Sequence, residues 1–392
     1  MIEKFLFDKI LSRLSHGGLE VVYWDGDKRH YGPDAPTVTI TFDSPKVARA
    51  ILNSMSLGFG ENYAAGHLQV DGSLIEVGRL VNQNTDAFKN LKLTNVVQKL
   101  QRNIPRNQKK FIQHHYDIGN DFYKLWLDKQ MLYSCAYFRN PKTDNLEKAQ
   151  SQKLDHLLKK LQLQPGQKLL DIGSGWGSLL IRAAEKDGVT GLGITLSKEQ
   201  LKRSRQAAKE AGVTKQISFE LRNYQDLMRE GQKFDRIISV GMFEHVGRGN
   251  HAAYYKAIKT MLVDGGISVL HTITSQIEEP NDPWIDKYIF PGGYIPSTRE
   301  IVSALPDYDL HLIDYENLRL HYALTLEEWQ RRFHKHHKEV VNMYDESFYR
   351  TWDLWLAFSA AAFRYGHLNL SQFVLTKGLN NDLPLTREFL YK

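Results

Sequence analysis

Apolar positions change period along this chain, and each change marks a different kind of element. In the first 90 residues they alternate in LEVVYWDG and TVTITF, as a half-buried pleated strand requires. They then recur at helical spacing in KVARAILNSM and SLIEVGRLVNQ, with Gly/Asp turns between the runs, so a small α+β domain is expected there. From Lys168 onward apolar strands alternate with helices: KLLDI, GSLLIRAAEKDG, VTGLGIT, SKEQLKRSRQAAKEAG, ISFELR, FDRIISVG, YYKAIKTMLVDGG and ISVLHTIT. Strand and helix alternating this often predict an α/β fold, a doubly wound parallel sheet. A mostly helical, aromatic-rich region is expected from about Thr325. The opening segment places Phe5, Leu6, Ile10, Leu11 and Leu14 at helical spacing, which predicts a short amphipathic helix packed on the core, with a membrane surface as the alternative.

Composition narrows the class. With 392 residues, 42% apolar and 24% charged, the chain is long enough for two cores and too apolar for disorder. No stretch approaches the roughly 20 apolar residues that cross a bilayer. Glu3 and Asp8 interrupt the N-terminal segment, so nothing in it marks the protein for export. The single cysteine, Cys135, removes intramolecular disulfides and cysteine-rich metal centres, and favours a reducing compartment. Charge is distributed unevenly: the net +6 matches residues 91–110, which hold Lys92, Lys99, Arg102, Arg106, Lys109 and Lys110 and no acid. That stretch is either a solvated connector or a contact for a polyanion, nucleic acid or an anionic membrane. The expected boundaries are a domain over 1–90, a basic linker over 91–110 and a second domain over 111–392.

Candidate chemistry begins where KLLDI runs into Gly173-Ser174-Gly175-Trp176-Gly177, a glycine-rich turn between strand and helix. A pyrophosphate-binding turn reads G-x-G-x-x-G, whereas this one reads G-x-G-x-G with Asp171 two residues ahead, the pattern of S-adenosylmethionine-dependent methyltransferases. The next strand ends on Thr195 rather than on an acid, so Gln200, one helical turn on, is a candidate for the ribose. Glu244 in GMFEHVG and His271 in VLHTIT stand at the ends of two further strands. Carboxyl ends of parallel strands line one crevice, so these groups are expected to converge. His334, His336 and His337 lie on a charged helix and read as a solvated face, so no metal is expected.

Several longer strings carry a specific resemblance: HYDIGNDFYKLWLD, YSCAYF, LLDIGSGWGSLLIRAA, GITLSKEQ, GMFEHVG, HTIT and DPWIDKYIFPGGYIPS. Over nearly its whole length the chain resembles the bacterial cyclopropane-fatty-acyl-phospholipid synthases, relatives of the mycolic acid cyclopropane synthases. The resemblance implies a class I methyltransferase domain of Rossmann-like type and an N-terminal lipid-engaging domain. It implies transfer of a methylene group from S-adenosylmethionine to cis double bonds of unsaturated phospholipids. By the same resemblance Tyr133, Ser134, Gly173, Gly175, Thr195, Leu196 and Gln200 bind the cofactor, and His115, Tyr116, Asp117 and Gly119 surround the pocket. Bicarbonate is implied at Cys135, Glu244, His271, Ile273 and Tyr322, with Cys135 and Ile273 serving through their backbones. A free cysteine is most often a small buried hydrophobe, so covalent catalysis by Cys135 is not expected.

An alkene is a weak nucleophile, and attack on a sulfonium methyl leaves a carbocation that needs a nearby base and little water. Tyr288, Phe290, Tyr294 and Phe243 are candidates to ease that cation, with packing as their simpler role. A homodimer is implied too, as is a cytoplasmic protein held peripherally at the inner face of the membrane. Alternatives are a lipid methyltransferase giving a methyl-branched product and a non-catalytic lipid-binding protein. A nucleic-acid methyltransferase is disfavoured, because GMFEHVG stands where amino-methylating enzymes often carry N/D-P-P-Y/F.

Overall fold

Alternation in LEVV and VTITF becomes strands β1 (Leu19–Val22) and β3 (Val38–Phe42), whose inward residues Leu19, Val21, Val38, Ile40 and Phe42 are buried. The computed structural model describes residues 2–88 and 118–391; the basic stretch 91–110 and His115, Tyr116 and Asp117 lie outside them. With β2 (Lys28–Tyr31) and β4 (Leu68–Gly72) these strands form a sheet of order β2-β1-β3-β4. Helices Pro45–Asn53 and Leu74–Gln83 bring Val47, Ala48, Ile51, Val77 and Leu80 to the same core.

The described residues fall into two compact units, and the first is wider than the segment before the basic stretch. It also takes in Pro280–Pro291 and Ala323–His367. Helix Glu346–Tyr365 packs on Leu74–Gln83, at a point where a Cβ on Gly78 would stand 2.5 Å from the Ala361 Cβ. The opening helix, Ile2–Leu11, faces otherwise than its spacing suggested. Phe7 and Leu11 are buried with Leu14, and Phe7 meets Phe42 edge-on at 5.3 Å. Lys4 pairs with Asp25 and Asp27, and Asp8 with Arg29, which turns that face toward the strands. Ile2, Phe5 and Leu6 are left 73%, 66% and 40% exposed.

In the second unit, Leu169, Leu170, Asp171 and Ile172 are all buried, as expected for a strand covered on both faces. The strands are β5 (Lys168–Ile172), β6 (Thr190–Thr195), β7 (Ile217–Leu221), β8 (Phe234–Val240), β9 (Leu262–Ser275), β10 (Leu310–Asn317) and β11 (Leu368–Lys377). Their order is β10-β11-β9-β8-β5-β6-β7. From β7 to β9 every pairing is parallel, whereas β11 runs antiparallel to both β9 and β10. The expected doubly wound sheet is present, and it is extended by two strands that the sequence pattern did not announce.

The region from Thr325 is mostly helical as expected, with helices Arg319–Lys335, His337–Met343 and Glu346–Tyr365, and β11 is the strand that this expectation left out. It carries Asn369, Ser371, Gln372 and Thr376, all buried, which break the apolar run by which a central strand is recognised. Cross-strand bonds reach three of them: Asn317 donates to Asn369 at 2.9 Å, Ser371 meets Thr274 at 2.7 Å and Tyr315 at 3.1 Å, and Gln372 meets His271 at 3.0 Å. The helix expected through LVDGG ends instead at Met261, because Leu262 turns to extended backbone and starts β9. The strand order reverses at β5, between β6 and β8, and a crevice opens beyond the carboxyl ends of these strands.

Candidate active site

At that switch point the backbone leaves β5 through Gly173, Gly175 and Gly177, at φ 82°, 54° and 92°. Those angles favour glycine. Gly177 is fixed twice over, since a Cβ there would lie 2.7 Å from the Phe219 ring and 3.0 Å from Ser204. Gly175 faces open space, and the loop skirts a cavity lined by Tyr133, Ser134, Gly173, Gly175, Thr195, Leu196 and Gln200. The structure thus brings together all seven residues expected at the cofactor. Thr195 donates to the Gln200 Oε1 at 2.6 Å, which holds the side chain nominated for the ribose. Ser174 Oγ, in this loop, is buried with no hydrogen-bond partner among the described residues. An adenosyl ligand, rich in hydroxyl and amine groups and without phosphate, fits such a lining.

Trp176 of the glycine-rich turn lines the cavity too, and other lining residues were missed from the sequence: Lys153, Arg222, Asn223, Tyr224, Met242 and His245. Arg222–Tyr224 follow β7 as Leu196 follows β6, so the strand-end rule applied to β7 reaches them. Trp176 donates from Nε1 to Asn120 Oδ1 at 2.8 Å, next to Gly119, the one described residue of the expected entry motif.

Ser134 and Cys135 belong to a segment with neither helix nor strand, and helix Leu146–Leu161 holds it in place. Gln150 Nε2 donates to the carbonyls of Leu132 and Ser134 at 3.2 and 2.9 Å, and Lys153 Nζ donates to Ser134 Oγ at 2.9 Å. Lys153 is 1% exposed, and burial pulls its ammonium down to about 8 against the pull of Asp128, Cys135 and Asp171. Burial likewise pushes Asp171 up to about 7, with Lys153 opposing.

Beside the cavity lies a second cluster. Glu244 sits in a one-turn 3-10 helix, Phe243–His245, just after β8, and His271 lies in β9 alongside. Gly241 N–H donates to the His271 carbonyl at 2.9 Å, and Ile273 N–H donates to Glu244 Oε1 at 2.6 Å. Glu244, His271 and Ile273 therefore meet, and in this arrangement the Ile273 amide orients the Glu244 carboxyl. Burial raises Glu244 to about 7 and drives His271 well below its usual value, so the imidazole is neutral. Gln372 Nε2 donates to His271 Nδ1, which places the ring proton on Nε2. Both Nε2 of His271 and Oε2 of Glu244 are buried without a hydrogen-bond partner among the described residues. Such groups cost about 1–3 kcal/mol each until something bonds them. A small anion that both accepts and donates hydrogen bonds, as bicarbonate does, fits this pair.

Cys135 is fully buried with Sγ 3.2 Å from the Ala136 carbonyl, and Tyr322 is half-buried at the start of helix Arg319–Lys335. None of the five lines the cavity; Ser134 and Gly241, which do, connect them to it. The proposed cation-easing aromatics do not line it either. Phe243 stacks on His251 at 4.4 Å, Tyr294 donates to Glu300, Tyr288 bonds Glu61, and Phe290 meets Trp355. His334, His336 and His337 each pair with a different carboxylate, Asp353, Glu339 and Glu346.

Residues 104–373 match the family described as mycolic acid cyclopropane synthetase. The chain belongs to this family. Residues 6–93 match a separate domain of unknown function. The chain is 36% identical to a probable fatty acid methyltransferase of Pseudomonas putida, over 96% of this chain and 97% of the relative. It is 37% identical to the cyclopropane-fatty-acyl-phospholipid synthase of Escherichia coli (strain K12), over 89% and 90%. Among solved structures, mycolic acid cyclopropane synthase CmaA1 complexed with SAH and CTAB superposes with a TM-score of 0.65 at 32% identity, covering 70% of this chain and 99% of that one. The protein is an enzyme of the class I methyltransferase fold.

Proposed function

We propose that this protein takes a one-carbon unit from S-adenosylmethionine and converts cis double bonds of unsaturated phospholipid acyl chains into cyclopropane rings. The observation that carries the reading is that Glu244 Oε2 and His271 Nε2 are buried without a hydrogen-bond partner among the described residues, next to a methyltransferase cofactor cavity. A dry polar site at that place suits a cationic intermediate that must lose a proton with water excluded. In the reaction the alkene π electrons form a bond to the sulfonium methyl as its C–S bond breaks. S-adenosylhomocysteine leaves neutral, and the cation left on the acyl chain closes to a ring when the new methyl gives up a proton. Bicarbonate supplies a mild base for that proton when it is bound. His271 Nε2–H and Glu244 Oε2 hold and orient it, Tyr322 and the Cys135 backbone complete its surroundings, and burial of the site keeps water from trapping the cation.

The test is incubation with S-adenosylmethionine, bicarbonate and vesicles of unsaturated phospholipid. One CH₂ is gained per double bond, with ring protons in the NMR spectrum of the fatty acids. No gain, with cofactor binding intact, refutes the reading. A gain without ring protons establishes instead the methyl-transfer outcome suggested by the name of the Pseudomonas relative.

Because such a substrate lies in a bilayer, the N-terminal unit is proposed to engage lipid. No helix among the described residues is long and apolar enough to cross a membrane. Ile2, Phe5 and Leu6 instead present an exposed apolar stripe, with Lys9 and Arg13 continuing it as exposed bases. Serine at Ile2, Phe5 and Leu6 together weakens binding to anionic vesicles about tenfold at low and high salt alike. Glutamine at Lys99, Arg102, Arg106 and Lys109 weakens it mainly at low salt. Co-sedimentation measures both; unchanged binding in either set removes that surface from the proposal.

A further inference from the structure

The segment that carries Ser134 and Cys135 is clamped at its far end by a stack of three rings. Tyr137 lies between the imidazoles of His156, at 4.3 Å and 13°, and His321, at 4.8 Å and 9°. His156 is held in turn by Glu316 at 2.6 Å, and the same carboxylate takes Lys160 at 2.6 Å. His321 does more than stack. Its Nδ1 accepts the Phe138 N–H at 3.0 Å, while on the other side the Tyr137 N–H donates to the Ala149 carbonyl. His321 is also the immediate neighbour of Tyr322 at the head of helix Arg319–Lys335.

Cys135 and Tyr322 stand 187 positions apart in the chain, counted from the sequence, and they are proposed to bound one small pocket from different elements. The bond from Phe138 to His321 is a direct polar tie between those elements. We propose that His321 is a positioning residue whose accepted Phe138 N–H keeps the Cys135 backbone in register with Tyr322 across the bicarbonate pocket. The assignment rests on the functional reading above. Misplacement by a fraction of an ångström is enough to slow a reaction whose base must meet one methyl group.

Three variants separate the accepted bond from the ring. In His321→Asn, Oδ1 takes the place of Nδ1; in His321→Gln, the amide reaches only the place of Nε2; His321→Phe keeps a ring without an acceptor. The asparagine form stays within about threefold of native turnover, while the glutamine and phenylalanine forms fall about tenfold or more and need several times more bicarbonate for half-maximal rate. S-adenosylhomocysteine affinity, by calorimetry, stays within about twofold in all three, because the cofactor cavity is untouched. Hydrogen exchange at the Phe138 amide quickens in the glutamine and phenylalanine forms only, a readout that needs no activity. Native rates in those two forms, or an equal fall in all three, overturns the proposal. If the phenylalanine form does not fold, the glutamine form carries the comparison. Failure of the native enzyme to add CH₂ refutes the functional reading instead, and the exchange experiment still decides whether the tie exists.

Discussion

Glu244→Gln lowers turnover by about a hundredfold or more while S-adenosylhomocysteine binds within about twofold of its native affinity. The two effects separate because Glu244 bonds Ile273 and faces the second cluster, whereas the cavity lining does not include it. A variant that loses cofactor binding in step with rate contradicts the assignment. The same substitution has a signature in stability. Glu244 ordinarily titrates at 4.5 and is raised to about 7 in the fold by burial. Between those values the folded state holds a proton that the unfolded state has released, so native stability falls as pH rises through the window. Glutamine cannot titrate, and its stability relative to the native protein improves by up to about 3 kcal/mol from pH 4.5 to above pH 7. Urea unfolding at pH 5 and pH 8 measures the change, and parallel behaviour at the two values rules out a buried carboxyl that carries this burden.

Lys153→Met gives the other large effect. It removes a buried ammonium from Ser134 Oγ and from the field of Asp128 and Asp171. Stability drops by about 3 kcal/mol, since buried acids are left without their counter-charge, and S-adenosylhomocysteine binds about tenfold more weakly as Ser134 loses its anchor. Adding Asp171→Asn to Lys153→Met restores part of the stability, because the amide needs no cation beside it. Full additivity of the two changes, read from thermal or urea unfolding, excludes the coupling.

Much of this arrangement was readable before any coordinates, and the reason is periodic burial. A parallel strand covered on both faces must be apolar, so KLLDI, VTGLGIT and FDRIISVG announced themselves, and the rule about strand ends then located Gly173, Thr195 and Glu244. His271, expected at a strand end, lies inside β9, which runs on to Ser275, and is level with the end of β8 through its pairing with Val240. β11 escaped because the site makes polar demands on it. Gln372 is buried in mid-strand in order to orient His271, and a residue chosen for that task erases the signal of the strand that bears it. Lys153 was hidden for a like reason. A lysine in KAQSQKLDHLLKK reads as a solvated helix residue, and only tertiary packing shows it sealed against Ser134. On the opening helix, spacing found the amphipathic character, yet ion pairs from Lys4 and Asp8 to the neighbouring turn and strand chose which face turned inward.

The place of β11 in the sheet bears on how the enzyme is made. In a growing polypeptide β9 emerges from the ribosome about a hundred residues before its neighbour, with His271 already present and Gln372 still to be synthesised. Until β11 slots between β9 and β10 the imidazole has no partner to fix its tautomer, and the sheet ends at an open edge. On the proposed function, the polar site around His271 is incomplete until that strand has joined the sheet. Such sequence-distant contacts are also the slow ones in folding.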